Sequence, residues 1–137
     1  MIALATSLRL TNMAHVLVVD DSVHVRVLVR VTLEMDGHRV QEAVDGLEAW
    51  TLMKNERPDL VVMDVMMPGP SGLDVCRYMR ADPGLASVPV LIITAGSERE
   101  KTATEAYRIG ATAFMAKPFS PLALLAKVSE MLGASTK

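Results

Sequence analysis

The sequence predicts an α/β protein in which a five-stranded parallel sheet carries helices on both of its faces. Three observations support this. Short apolar runs alternate with segments of helical period five times along the chain. Two of those runs, His15-Val16-Leu17-Val18-Val19 and Leu60-Val61-Val62-Met63, are apolar without alternation, as strands buried on both faces must be. The length of 137 residues fits one domain, and half of the residues are apolar while only 4% are aromatic, so the core must be aliphatic.

The elements follow in order. After the first strand comes Asp20-Asp21, and Ser22 then caps a helix with apolar positions Val25, Leu28, Val29, Thr32 and Leu33, stopped at Asp36-Gly37. Arg39 to Ala43 is a second strand, more polar than the others and therefore placed at a sheet edge. A helix over Asp45 to Asn55 carries Leu47, Ala49, Trp50 and Met53 and is closed by Pro58. The third strand ends on Asp64, and the loop Val65-Met66-Met67-Pro68-Gly69-Pro70 leads to a helix from Ser71 to Ala81. Val88 to Ile93 is the fourth strand, ending on Thr94, followed by a helix from Ser97 to Ile109 closed by Gly110. Thr112 to Ala116 is the fifth strand, ending at Lys117-Pro118. The last helix runs from Ser120, with Pro121 at its first position, to Leu132, with Gly133 closing it. Right-handed crossovers leave few strand orders, and the flavodoxin-like doubly wound (βα)5 order 2-1-3-4-5 suits a second strand that is the most polar. Residues 1–13 show neither period and are expected to be a flexible extension or the product of an upstream start. The domain then covers 14–134 and a short tail 135–137.

Composition narrows the function. Net charge is −2 with no basic stripe, so direct nucleic-acid binding is not expected. No run approaches the ~18 apolar residues of a membrane span, and no positive charge precedes the apolar opening residues, so neither a membrane partner nor a signal peptide is expected. Cys76 stands alone, which excludes a disulfide framework and a cysteine metal site and fits a buried small hydrophobe. Cytoplasm is the expected compartment.

In doubly wound sheets ligands sit beyond the carboxyl ends of the strands. There this sequence places Asp20-Asp21, Asp64, Thr94 and Lys117. Taken singly, an acid after a strand is ordinarily a solvated loop residue or a cap, Thr94 a helix cap, and Lys117 surface charge. Their joint position on one sheet edge has no such explanation. Three crowded acids repel unless a cation joins them or one is protonated. A hard divalent ion such as Mg²⁺ relieves this through oxygen ligands, and Lys117 adds a compact charge suited to a phosphoryl oxygen.

Asp20-Asp21, Asp64-Val65-Met66-Met67-Pro68 with Gly72 beyond, Thr94-Ala95 and Lys117-Pro118-Phe119 together resemble the response-regulator receiver family, over roughly His15 to Leu132. The resemblance implies a CheY-like fold, with Asp64 accepting a phosphoryl group from a phosphohistidine on a sensor kinase or a histidine phosphotransfer protein. It implies Mg²⁺, or Mn²⁺ in its place, on Asp21, Asp64 and the backbone carbonyl of Met66, with Asp20 acting through a water. Lys117 and the metal would neutralise the transferring group, and Thr94 would then move to hydrogen-bond it. Readout would fall on the fourth helix, fifth strand and fifth helix, with Phe114 in the place of a switching aromatic that often carries a hydroxyl. The bland alternative for Phe114 is a core aromatic. Met66 and Gly96 offer no side chain to orient an attacking water, which implies slow to moderate self-dephosphorylation. The resemblance offers a cis Lys117-Pro118 peptide, which would aim Lys117 into the pocket, but the sequence alone leaves the isomer open and most X-Pro bonds are trans. Met63, Met66 and Met67 are read as core packing.

These readings describe a single-domain regulator that is not an enzyme beyond its own phosphorylation and dephosphorylation. Its target protein is unidentified, and it is expected to be a monomer or weak homodimer. The alternative is the receiver piece of a longer regulator or hybrid kinase. An aspartate-based phosphohydrolase would need substrate-recognition insertions, and usually a second acid where this chain has Met66. A degenerate receiver that binds without phosphorylation would not keep all five polar residues.

Overall fold

Strand β1, His15–Val19, is buried along its whole length and lies inside the sheet. This computed structural model describes residues 13–95 and 99–135, so the expectations for the opening extension, Gly96, Ser97 and the final two residues fall outside it. Four more strands, β2 (Arg39–Ala43), β3 (Leu60–Asp64), β4 (Val90–Thr94) and β5 (Ala113–Ala116), pair in parallel in the order β2-β1-β3-β4-β5. The helices between and after them are α1 (Val23–Met35), α2 (Gly46–Asn55), α3 (Gly72–Ala81), α4 (Arg99–Ile109) and α5 (Pro121–Ser135). The doubly wound (βα)5 fold and the edge position of polar β2 are as the pattern predicts.

Strand side chains alternate between faces, and each face has its own aliphatic core. Leu17, Val19, Val61, Met63 and Ile92 pack with Ala49 and Met53 of α2, Val75, Cys76 and Met79 of α3 and Ala106 of α4. Val16, Val18, Val62, Leu91 and Ile93 pack with Val29 and Leu33 of α1 and Leu124, Val128 and Met131 of α5. Cys76 is fully buried and burial pushes its thiol up, which leaves it an inert core residue. No helix among the described residues is long and apolar enough to cross a membrane.

Local signals act largely as expected. Ser22, Asp45 and Ser71 cap α1, α2 and α3, with a full capping box between Ser71 and Asp74. Gly37 and Gly110 take positive φ at the ends of α1 and α4. Five details differ. Leu28 and Leu47 face solvent, because the buried stripes of α1 and α2 run through Val29-Thr32-Leu33 and Ala49-Met53 instead. Strand β4 starts at Val90: Pro89 has no N–H, and the Val88 N–H donates back to Leu85. Strand β5 starts at Ala113, since the Thr112 hydroxyl takes up the Val90 N–H. Helix α5 continues through Gly133 to Ser135, because no left-handed residue stops it there. Met66 is 72% exposed and so not core packing, whereas Met63 is buried and Met67 half-buried.

Candidate functional site

The sheet register assembles the site. Val19 pairs with Met63, so the next residues, Asp20 and Asp64, leave adjacent strand ends side by side. Asp64 pairs with Ile93, and Thr94 pairs with Ala116, which brings Thr94 and Lys117 to the same edge. The Lys117 N–H donates to the Thr94 carbonyl at 2.8 Å and ties the last two strand ends together. The Lys117-Pro118 peptide is cis. Thr94 is buried, and its hydroxyl donates to the Ala95 carbonyl at 3.4 Å, a long bond.

Carboxylate oxygens of Asp20, Asp21 and Asp64 all lie within 4.8 Å of one another, a set that could hold a metal ion. Asp20 is fully buried and Asp64 nearly so, while Asp21 faces solvent. The Lys117 ammonium donates to Asp20 Oδ2 at 2.9 Å and stands 3.5 Å from Asp64 Oδ1. Burial and the neighbouring Asp20 charge raise the Asp64 carboxyl above the ordinary range, against the pull of Lys117. Burial draws the Lys117 ammonium down, but its hydrogen bond to Asp20 and the Asp64 and Asp20 charges outweigh this and hold it above its ordinary value. The pocket is therefore short of positive charge. Among the described residues one ammonium faces three carboxylates, and the surplus charge and all-oxygen donor set fit a hard divalent cation.

The folded Asp64 pKa lies above the unfolded one, so ionising Asp64 weakens the metal-free fold. That penalty is absent below the ordinary value of 3.8, grows as pH rises, and is complete above the raised value. Asp64→Asn is expected to raise the thermal midpoint in chelator at neutral pH, with the gain disappearing in acid. A midpoint unchanged or lowered at neutral pH would contradict the electrostatic picture.

Two residues at the site escaped sequence reasoning. Arg26 of α1 donates to the Asp20 carbonyl at 2.7 Å and pairs through Nε with Glu42 of β2 at 3.0 Å. The available signal was an arginine within the first helical turns after the acid pair, opposite an acid on an otherwise edge-like strand.

The acid cluster and its lysine lie at the carboxyl edge of a doubly wound 2-1-3-4-5 sheet, the place where such folds bind their ligands. The family model described as response regulator receiver domain matches residues 16–129, and the chain belongs to that family. It is 37% identical over 121 residues to the DNA-binding dual master transcriptional regulator RpaA of Synechocystis, covering 88% of this chain and 49% of RpaA. It is 42% identical over 118 residues to the response regulator MprA of a Mycobacterium species, covering 85% of this chain and 50% of MprA. The chain thus spans about half the length of these curated relatives. A crystal structure of a putative response regulator from Chloroflexus aurantiacus superposes with a TM-score of 0.84 at 30% identity, covering 88% of this chain and 98% of that one.

Proposed function

We propose that this chain is a phosphorylation switch in two-component signalling, with Asp64 as its acceptor. The observation that carries the reading is a nearly buried carboxylate set between two further acids and one ammonium. An Asp64 oxygen attacks the phosphorus of a phosphohistidine on a sensor kinase or phosphotransfer protein. A carboxyl C–O–P linkage forms, the P–N bond breaks, and the imidazole leaves with the electron pair. Lys117 neutralises charge on the transferring group, and the Thr94 hydroxyl turns from Ala95 to receive it. Asp21, Asp64 and the Met66 carbonyl would hold Mg²⁺, or Mn²⁺, with Asp20 behind them. When bound, the ion supplies positive charge to the phosphoryl oxygens.

The added group carries ~1.5–2 negative charges, enough to bias a two-state surface. We assign that surface to α4, β5 and α5, where half-buried Phe114 packs against the α2-α3-α4 core. Amide NMR spectra with acetyl phosphate and Mg²⁺ are expected to shift along β5 and the facing turns of α4 and α5. Shifts confined to the pocket would contradict the switch. A second reading rests on the relatives' lengths: the chain is the receiver piece of a longer regulator. In either case the receiver acts on proteins, with no direct nucleic-acid contact of its own.

A further inference from the structure

Asp20 is held at every polar atom. Its N–H donates to the Ala43 carbonyl at the end of β2 at 3.2 Å, and its Oδ1 accepts the Ser22 N–H at 2.9 Å. Its Oδ2 accepts from Lys117, and its carbonyl accepts from Arg26 Nη1 at 2.7 Å. The last of these bonds lies outside the pocket and has no place in the transfer chemistry described above. It comes from a guanidinium that is itself gripped. Glu42 accepts Arg26 Nε on one oxygen and Arg30 Nε, at 2.8 Å, on the other, and Arg30 also reaches Glu34.

The Asp20 carbonyl belongs to the peptide that joins Asp20 to Asp21. A peptide is planar, so holding its oxygen fixes the plane and the direction in which the Asp21 Cα leaves it. The fixed fork of a guanidinium can donate to a carbonyl and a carboxylate at once, which a lysine ammonium cannot do in the same geometry. We propose that Arg26 is a positioning residue for the cation pocket: clamped by Glu42, it orients the Asp20–Asp21 peptide and so aims Asp21 at the ion. The inference rests on the reading of Asp20, Asp21 and Asp64 as a Mg²⁺ site. It also gives one of the polar residues of β2 a use, because Glu42 pairs with the Arg26 charge and leaves geometry as its main contribution.

Charge and geometry predict opposite signs. Removing a positive charge close to a cation site strengthens cation binding by Coulomb's law. Losing an outer hydrogen bond that orients a ligand weakens it, typically by about tenfold or more. Mg²⁺ dissociation constants are to be measured by titration calorimetry on the full chain, with folding checked by denaturation in chelator. Arg26→Gln and Arg26→Lys are expected to weaken Mg²⁺ binding by about tenfold. Arg30→Gln, which loses the Glu42 pair without touching Asp20, is expected to bind as wild type does. Arg26→Lys retains the charge and the apolar stem, so a folded variant remains if Arg26→Gln does not fold. Wild-type or tighter affinity in Arg26→Lys overturns the inference, as does equal weakening by Arg30→Gln. Absence of Mg²⁺ binding by the wild type overturns the reading of the pocket, and the inference with it.

Discussion

Replacing Lys117 with methionine is expected to slow phosphoryl transfer to Asp64 by about a hundredfold or more while leaving Mg²⁺ binding intact or tighter. The two effects separate because Lys117 has two relations to the pocket. It stands 2.9 Å from Asp20 and 3.5 Å from Asp64, so it competes with any cation for the same carboxylates. Removing it relieves that competition. Under the proposed transfer it would also neutralise charge developing on the phosphoryl oxygens, as the one side-chain cation at the pocket among the described residues, and methionine offers neither charge nor donor. Methionine keeps the unbranched apolar stem, so packing around the half-buried side chain changes little. The measurement is the rate of acyl phosphate formation at saturating Mg²⁺ beside the Mg²⁺ dissociation constant. A near-normal rate, or a loss of rate fully explained by lost metal, would contradict the role given to Lys117.

The second large effect is expected at Gly72, the first residue of α3. Its N–H donates to the Val65 carbonyl at 2.9 Å, which folds the loop after β3 tightly back on itself. A Cβ there would overlap the Asp64 carbonyl oxygen and lie 2.9 Å from its carbonyl carbon and 3.1 Å from Val65 Cα. All three are backbone atoms, so no side-chain rotation gives relief. Gly72→Ala is expected to destabilise the fold by about 3 kcal/mol, and to displace Asp64 in whatever fraction remains folded. The same substitution at Gly133, inside α5 with nothing within 4 Å of its Cβ position, is expected to stabilise by about 0.5–1 kcal/mol. Denaturation curves of the two variants against wild type check both signs. A neutral Gly72→Ala would contradict the close approach.

Much of this molecule was legible from the chain, and the reasons are local. Apolar runs that end on Asp20, Asp64 and Thr94 mark buried strands and their carboxyl ends without help from tertiary contacts. The polar run Arg39–Ala43 marks an edge. What stayed hidden depends on partners distant in sequence. Leu28 and Leu47 fit a helical period, but only the packed neighbours decide which of two overlapping stripes turns inward. Pro89 and Thr112 trim their strands through bonds made to other segments. Gly133 stops a helix only when it takes the left-handed conformation itself, and here it does not. The Arg26–Glu42 clamp joins α1 to β2 across a gap of 16 residues, so the pairing itself shows only once the two segments are folded together.

The most direct test is intact-mass measurement after incubation with acetyl phosphate and Mg²⁺, on wild type, on Asp64→Asn, and on wild type in chelator. The wild type is expected to gain the mass of one phosphoryl group, and the variant and the chelated sample to gain none. No gain on wild type, or an equal gain on Asp64→Asn, would contradict the assignment of Asp64 as the acceptor.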